Sequence, residues 1–361
     1  MRMPSSLFRL WRIRYSGSQG IVASAFLVIV LLGAPAAGAQ TFDEASAAYM
    51  RGDYIVAFES FLSLAEQGHA RAQFVLGNMY VEGKGVQQDY AEAKRWFHRA
   101  AEQGYTQAQN YLGCMYDEGS GVPQDDAEAA YWFHQAAEQG HADAQFYLGS
   151  CYANGEGVPQ DDAEAVRWYR QAAEQGDADA QWRLGDLYEE GRGVPQDDAE
   201  AVRWYRRAAE QGHAGAQNNL GDSCANGEGV PQDDVAATYW YRQAAEQGDA
   251  DAQVNLGAMY AEGRGVPQDD AEAVRWFRQA AEQGAARAQH RLGLMCLLGR
   301  GVLQDYVQAH KWFNLAASRY SSSERELRDK AVQFREEVAS KMTPAQIAEA
   351  QRLAREWEPV Q

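Results

Sequence analysis

The chain is poor in cations. It carries 33 Lys and Arg against 51 Asp and Glu, a formal charge of −18 over 361 residues. Such a surface repels phosphate backbones and anionic membranes, which excludes nucleic acid as a ligand. It steers basic partners toward the protein and keeps an elongated chain soluble. Proline is scarce at nine residues, yet 46% of the chain is hydrophobic, so it is not disordered. Long apolar runs are also missing. The stretch Ile21–Leu32 is 12 residues long, against the roughly 20 needed to span a bilayer.

Catalytic signatures are lacking too. No S-x-x-K, G-x-S-x-G, H-E-x-x-H or P-loop sequence occurs. His69, His141 and His213 fall in the same inter-repeat turn of different repeats, not at ligand spacing from one another. His98 and His134 share one position on neighbouring second helices, about 8–10 Å apart, where an exposed flank explains them better than a bridging ion. No metal and no cofactor is expected. The four cysteines, Cys114, Cys151, Cys224 and Cys296, sit in four different repeats. Equivalent helices of adjacent repeats lie about 8–10 Å apart, beyond the roughly 7 Å a disulfide tolerates. Free, buried thiols are expected.

The short apolar run has a context. Arg2, Arg9, Arg12 and Arg14 precede it without an acid, and a small-residue run ending Ala37-Gly38-Ala39 follows. These are the parts of a secretory signal peptide, residues 1–39, cleaved after Ala39; an uncleaved anchor is the rival reading. Cleavage removes four arginines and leaves 29 cations against 51 acids, a net charge of −22. The mature chain is then periplasmic or secreted, with no stable membrane span.

What the chain has in abundance is repetition. Ala-Glu-Gln-Gly ends at Gly68, Gly104, Gly140, Gly176, Gly212, Gly248 and Gly284, each step 36 residues. A second glycine series runs from Gly77 to Gly293, and G-x-G pairs run from Gly83/Gly85 to Gly299/Gly301. A fixed period of this length marks stacked supersecondary units. Seven repeats occupy residues 70–320, after a degenerate capping pair in 40–69 and before capping helices in 321–361.

Each repeat reads as two helices. In the third, Ala144, Leu148, Gly149 and Tyr152 fall on one helical face. Gly149 costs about 1 kcal/mol against Ala in a helix, so its recurrence implies a close crossing by the partner helix. Gly155 and Gly157 end that helix. Asp161 caps the second, with Glu164 placed as in a capping box. The same spacing recurs at Asp89/Glu92, Asp125/Glu128, Asp197/Glu200 and Asp269/Glu272, with Ala236 breaking it after Asp233. Trp96, Trp132, Trp168, Trp204, Trp240, Trp276 and Trp312 fill one core position. At the C-terminus Leu327, Ala331, Phe334, Val338 and Met342 make one amphipathic helix. Thr343, Pro344 and Gln346 open another, striped by Ile347, Ala350, Leu353 and Trp357.

The pattern A-x-x-x-L-G-x-x-Y-x-x-G-x-G-V-P-Q-D-x-x-E-A-x-x-W-Y-x-x-A-A-E-Q-G resembles the Sel-one-like repeat, which is similar to the tetratricopeptide repeat. The resemblance covers residues 42–361. It implies an all-α fold, a right-handed α/α superhelical solenoid of antiparallel helix pairs, serving as an adaptor or scaffold for proteins. Cysteine-rich members, some linked to β-lactam binding or hydrolysis, pair two cysteines within a repeat. No repeat here does, which argues against that activity.

Partner specificity must come from positions that differ between copies. At 100° per residue, positions 71, 74, 78 and 81 lie opposite the inward face of the first helix, the side that lines the concave groove in tetratricopeptide-like folds. One series runs Phe74, Asn110, Phe146, Trp182, Asn218, Val254, His290, and the next includes Asp186 and Asp222. Asp143 and Asp179 flank them. Aromatic anchors among carboxylates suit a protein or peptide with basic and apolar residues. A purely structural or self-assembling array is the remaining alternative.

Overall fold

The computed structural model describes residues 41–359; the signal peptide expected over residues 1–39 lies outside them. The described residues form eighteen α-helices and no strand. They fall into two compact units, one ending at Gln160 and the other beginning at Asp161. The first holds α1 (Phe42–Arg51), α2 (Tyr54–Glu66), α3 (Ala70–Glu82), α4 (Tyr90–Glu102), α5 (Thr106–Glu118), α6 (Asp126–Glu138) and α7 (Ala142–Asn154). The second holds α8 (Asp162–Glu174), α9 (Ala178–Glu190), α10 (Asp198–Glu210), α11 (Ala214–Asn226), α12 (Asp234–Glu246), α13 (Ala250–Glu262), α14 (Asp270–Glu282), α15 (Ala286–Leu298), α16 (Tyr306–Arg319), α17 (Arg325–Ala339) and α18 (Pro344–Arg355). In each, successive helices pair and stack as a repeat array. No helix among the described residues is long and apolar enough to cross a membrane.

The aspartate caps form as the spacing implies, but the boxes do not close. Asp89 Oδ1 accepts from the amides of Ala91 and Glu92 at 2.9 and 3.1 Å. The glutamate does not reach back, because the Asp89 amide already donates to the Tyr80 carbonyl at 3.0 Å. Asp197 and Asp269 are bound likewise, to Tyr188 and Tyr260. Glu92, Glu200 and Glu272 turn instead to the arginine three residues on. Thr343 and Gln346 do close a true capping box on α18.

The close crossing proves to be helix against ring. A Cβ added at Gly77 would stand 2.6 Å from Phe97, and one at Gly113 2.4 Å from Phe133. In the second unit Gly185 and Gly221 meet Tyr205 and Tyr241 at 2.5 and 2.6 Å. Tryptophans of the core position are buried, except Trp240, which is half-buried.

Two inter-repeat devices were not visible in the pattern. The first is a ladder of buried glutamines. Gln73 Nε2 donates to the Ala65 carbonyl at 3.0 Å, while its Oε1 accepts from Gln103 at 2.7 Å. Gln181, Gln217 and Gln253 repeat the arrangement with Gln211, Gln247 and Gln283. The second lies at the second glycine of each G-x-G. In the second unit, a Cβ at Gly193 would fall 2.2 Å from the Asp162 carbonyl oxygen. Beside it the Arg192 guanidinium grips the Asp162 carboxylate at 2.7 and 3.3 Å. Arg264–Asp234 and Arg300–Asp270 repeat this fork, the geometry in which arginine binds carboxylate best.

The C-terminal helices pack on α16. Ala331, Val338, Ala350 and Ala354 are buried, but Leu327, expected on the apolar stripe, is exposed at 37%; it lies in the first turn of α17, ahead of the packed segment.

All four cysteines are free, with Cys151, Cys224 and Cys296 buried and Cys114 half-buried. Burial pushes the Cys296 thiol up to about 11 and Cys151 to about 12, so little thiolate exists at neutral pH. Thiol titration at pH 8 should therefore find four thiols in denaturant and slow labelling in the native state. A count of two or fewer in denaturant without reductant contradicts the free-thiol assignment.

Candidate functional site

The candidate partner-binding residues divide between the units. In the first, Phe74 and Asn110 are buried, at 9% and 8% exposure. This corrects the expectation that they line an open groove. Helical-wheel geometry places them opposite the inward face of their own helix, but the first helix of the next repeat covers that side. For Phe74 the cover is Tyr105 and Tyr111, with ring centroids at 5.3 and 5.6 Å, and Phe97 closes the cluster at 5.6 Å. Phe146 and Asp143 are half-buried on α7.

In the second unit Asp179, Trp182, Asp186, Asn218 and Asp222 come together on α9 and α11, all half-buried. His213 organises the first part. Its Nδ1 accepts from the Ala216 amide at 3.0 Å, capping α11. That fixes the proton on Nε2, which faces Asp179 Oδ1 at 3.1 Å. Trp182 packs over the imidazole, centroids 4.8 Å apart, with the Arg183 guanidinium 4.2 Å above its own ring. Glycine at 215 makes room, since a Cβ there would lie 3.2 Å from the indole. Trp182 also packs against the core of this unit, so it is a seated anchor rather than a free surface ring.

The carboxylates Asp186 and Asp222 are tied into hydrogen bonds with neighbouring helices. Asp186 Oδ1 accepts from the Tyr205 hydroxyl at 2.9 Å and from Asn219 Nδ2 at 3.1 Å. Asp222 Oδ1 accepts from Tyr241 at 2.7 Å and Asn255 at 3.2 Å, and Asn218 Nδ2 donates to its Oδ2 at 3.2 Å. Tyr205 lies 2.8 Å from Glu189 Oε2 as well. One hydroxyl proton stands between two carboxyls, so the contact is satisfied when one of them keeps its own proton. Burial pushes Asp186 up to about 6, against the pull of Tyr205 and Arg183. Asp222 is raised for the same reason, with Glu189 and Asp251 adding repulsion. Among the described residues no cluster of three or more His, Cys, Asp or Glu could hold a metal.

Tyr205, Tyr241, Asn219, Asn255 and His213 were missed as site residues. A signal existed. The second aromatic of the Trp-aromatic pair is phenylalanine at Phe97, Phe133, Phe277 and Phe313, where Asn78, Cys114, Ala258 and Leu294 stand 19 residues before it, and tyrosine at Tyr169, Tyr205 and Tyr241, where Ser150, Asp186 and Asp222 do. In the first unit the same space holds paired rings, Phe97 tilted against Tyr111 at 5.2 Å and Phe133 stacked on Tyr147 at 4.9 Å.

The Sel1 repeat model matches seven consecutive segments, residues 70–105, 106–141, 142–177, 178–213, 214–249, 250–284 and 286–321. A solved Sel1 repeat protein from Oxalobacter formigenes is 36% identical. The match covers 80% of this chain and 87% of that one, with a TM-score of 0.63. A protective antigen of uropathogenic Escherichia coli displaying an SLR fold is 30% identical, over 87% of this chain and 90% of that one, at a TM-score of 0.52. No curated protein sequence matches the chain.

Proposed function

The chain belongs to the Sel1 repeat family, whose members are in general protein-interaction scaffolds, and from that premise we propose that it is a non-enzymatic scaffold of the bacterial cell envelope. Its partner is a protein or peptide bearing basic and apolar residues. The observation that carries the reading is the meeting of Trp182 with Asp179, Asp186 and Asp222 on one stretch of α9–α11. A seated indole supplies an anchor of about 2 kcal/mol or more, and the carboxylates attract a basic ligand. The envelope location rests on the basic, apolar and Ala37-Gly38-Ala39 sequence of residues 1–39.

The test uses a labelled peptide of alternating arginine and leucine, with a glutamate-for-arginine control. Binding should weaken steeply between low and high salt, as screened charges require. Trp182→Ala should weaken it about tenfold or more with unchanged helical content. Equal binding of both peptides, or no effect of Trp182→Ala on a folded protein, overturns the reading.

A further inference from the structure

The last repeat holds two histidines in places that disfavour the charged ring. His290, on α15, is nine-tenths buried, and among the described residues its Nδ1 has no hydrogen-bond partner. Three rings surround it, Phe313 and Tyr320 from the α16 side and Phe334 from α17, with centroids at 5.6, 6.3 and 5.7 Å. The charges that act on it are Arg291 beside it and Lys330 on α17, both cations. His310, on α16, is 3% exposed, again with an unpartnered Nδ1. The charge that acts on it is Arg335 of α17, which also donates to Asn314 at 3.0 Å. Among the described residues no carboxylate acts on either ring. A proton on either histidine would be buried beside a cation, with aromatic carbon for company at His290.

We propose that the C-terminal helix pair α17–α18 is an acid-released cap: protonation of His290 and His310 drives it off α16 and opens the end of the repeat array. The release is local because α17 supplies Phe334, Lys330 and Arg335, so lifting α17 removes the ring that encloses His290 and the cations that oppose both charges. Undocking also separates Trp357 from Trp312 and Arg319, which now lie 6.4 and 4.4 Å away, and gives an optical signal. The sign follows from linkage. Burial and the two cations hold His290 down to about 4 from an ordinary 6.5, and His310 is lowered likewise. A histidine depressed in the docked state contributes docking stability that is complete above about 6.5 and drains away as pH falls toward 4. For His290 alone the opening constant rises on the order of fifty-fold between pH 7.5 and 4.5.

Hydrogen exchange on the full chain tests this, with rates corrected for intrinsic pH dependence. At pH 4.5 protection of the amides of α17 and α18 should fall tenfold or more relative to pH 7.5, while α13 and α14 change little. His290→Phe and His310→Leu, singly and together, should restore protection at pH 4.5, and Trp357 emission should stop responding to pH in the double variant. If the double variant does not fold, either single variant gives the same reading with a smaller effect. A uniform loss of protection across the array, or identical acid response in wild type and folded variants, overturns the proposal. The outcome does not depend on the α9–α11 surface.

Discussion

Gly193→Ala should destabilise the second unit by about 3–5 kcal/mol. Two costs combine. The residue sits at φ +69°, in the left-handed region that charges an L-residue about 1–2 kcal/mol. The added methyl would also lie 2.2 Å from the Asp162 carbonyl oxygen and 2.4 Å from its carbon. Those atoms belong to the first turn of α8 and cannot rotate away as a side chain does, so the main chains of two repeats must separate. Overpacking of this kind costs roughly 1–3 kcal/mol or more, and separation also pulls Arg192 from Asp162. Gly176→Ala is the control, since its φ of +98° carries at least as large a conformational penalty but nothing lies within 4 Å. It should lose only about 1–2 kcal/mol. Asp161→Ala, a lost N-cap, should cost about 1 kcal/mol. Denaturant midpoints with hydrogen exchange separate these effects even if the array unfolds in steps. Equal losses for Gly193→Ala and Gly176→Ala would mean that the inter-repeat approach is softer than the geometry says.

That comparison shows what a repeat pattern can and cannot tell. The 36-residue period, the glycine series and the tryptophan position were readable because each follows from the geometry of a single helix pair. What failed was whatever depends on the neighbour. Phe74 looks outward on its own helix and is buried only because Tyr105 and Tyr111 arrive from the next repeat. The Asp-x-x-Glu spacing looks like a closed box until the preceding helix takes the aspartate amide. The recurrent glutamines look like exposed polar filler, yet Gln73, Gln181 and Gln217 reach back from buried positions to the Ala65, Ala173 and Ala209 carbonyls of the preceding helix pair. Local periodicity encodes the helix pair, and the stacking surface is written across pairs of positions about 30 residues apart.

Asp186 is where such pairing bears on function, and its expected behaviour separates two roles. In the folded protein its carboxyl titrates near 6, against an ordinary 3.8. Between those values the native state holds more proton than the unfolded chain, so stability falls as pH rises from about 4 to 6 and levels off above. Allowing for its partial exposure, the loss is about 2 kcal/mol. Asp222 contributes in the same direction, so the measurement is the difference between wild type and Asp186→Asn across pH 3.5 to 8. The asparagine oxygen still accepts from Tyr205 and Asn219, while its amide replaces the oxygen that faces Arg183 at 3.5 Å, a half-exposed ion pair whose loss costs little. The variant should therefore match wild type near pH 4 and exceed it by about 1–2 kcal/mol at pH 7.5, with the dip removed. The same change should weaken the arginine-rich peptide, most visibly at low salt. Opposite signs for stability and binding are what a carboxylate held for a partner predicts. If Asp186→Asn destabilises the protein at pH 7.5 and leaves peptide binding intact, Asp186 is a structural link between α9, α10 and α11, and the proposed surface loses its central charge.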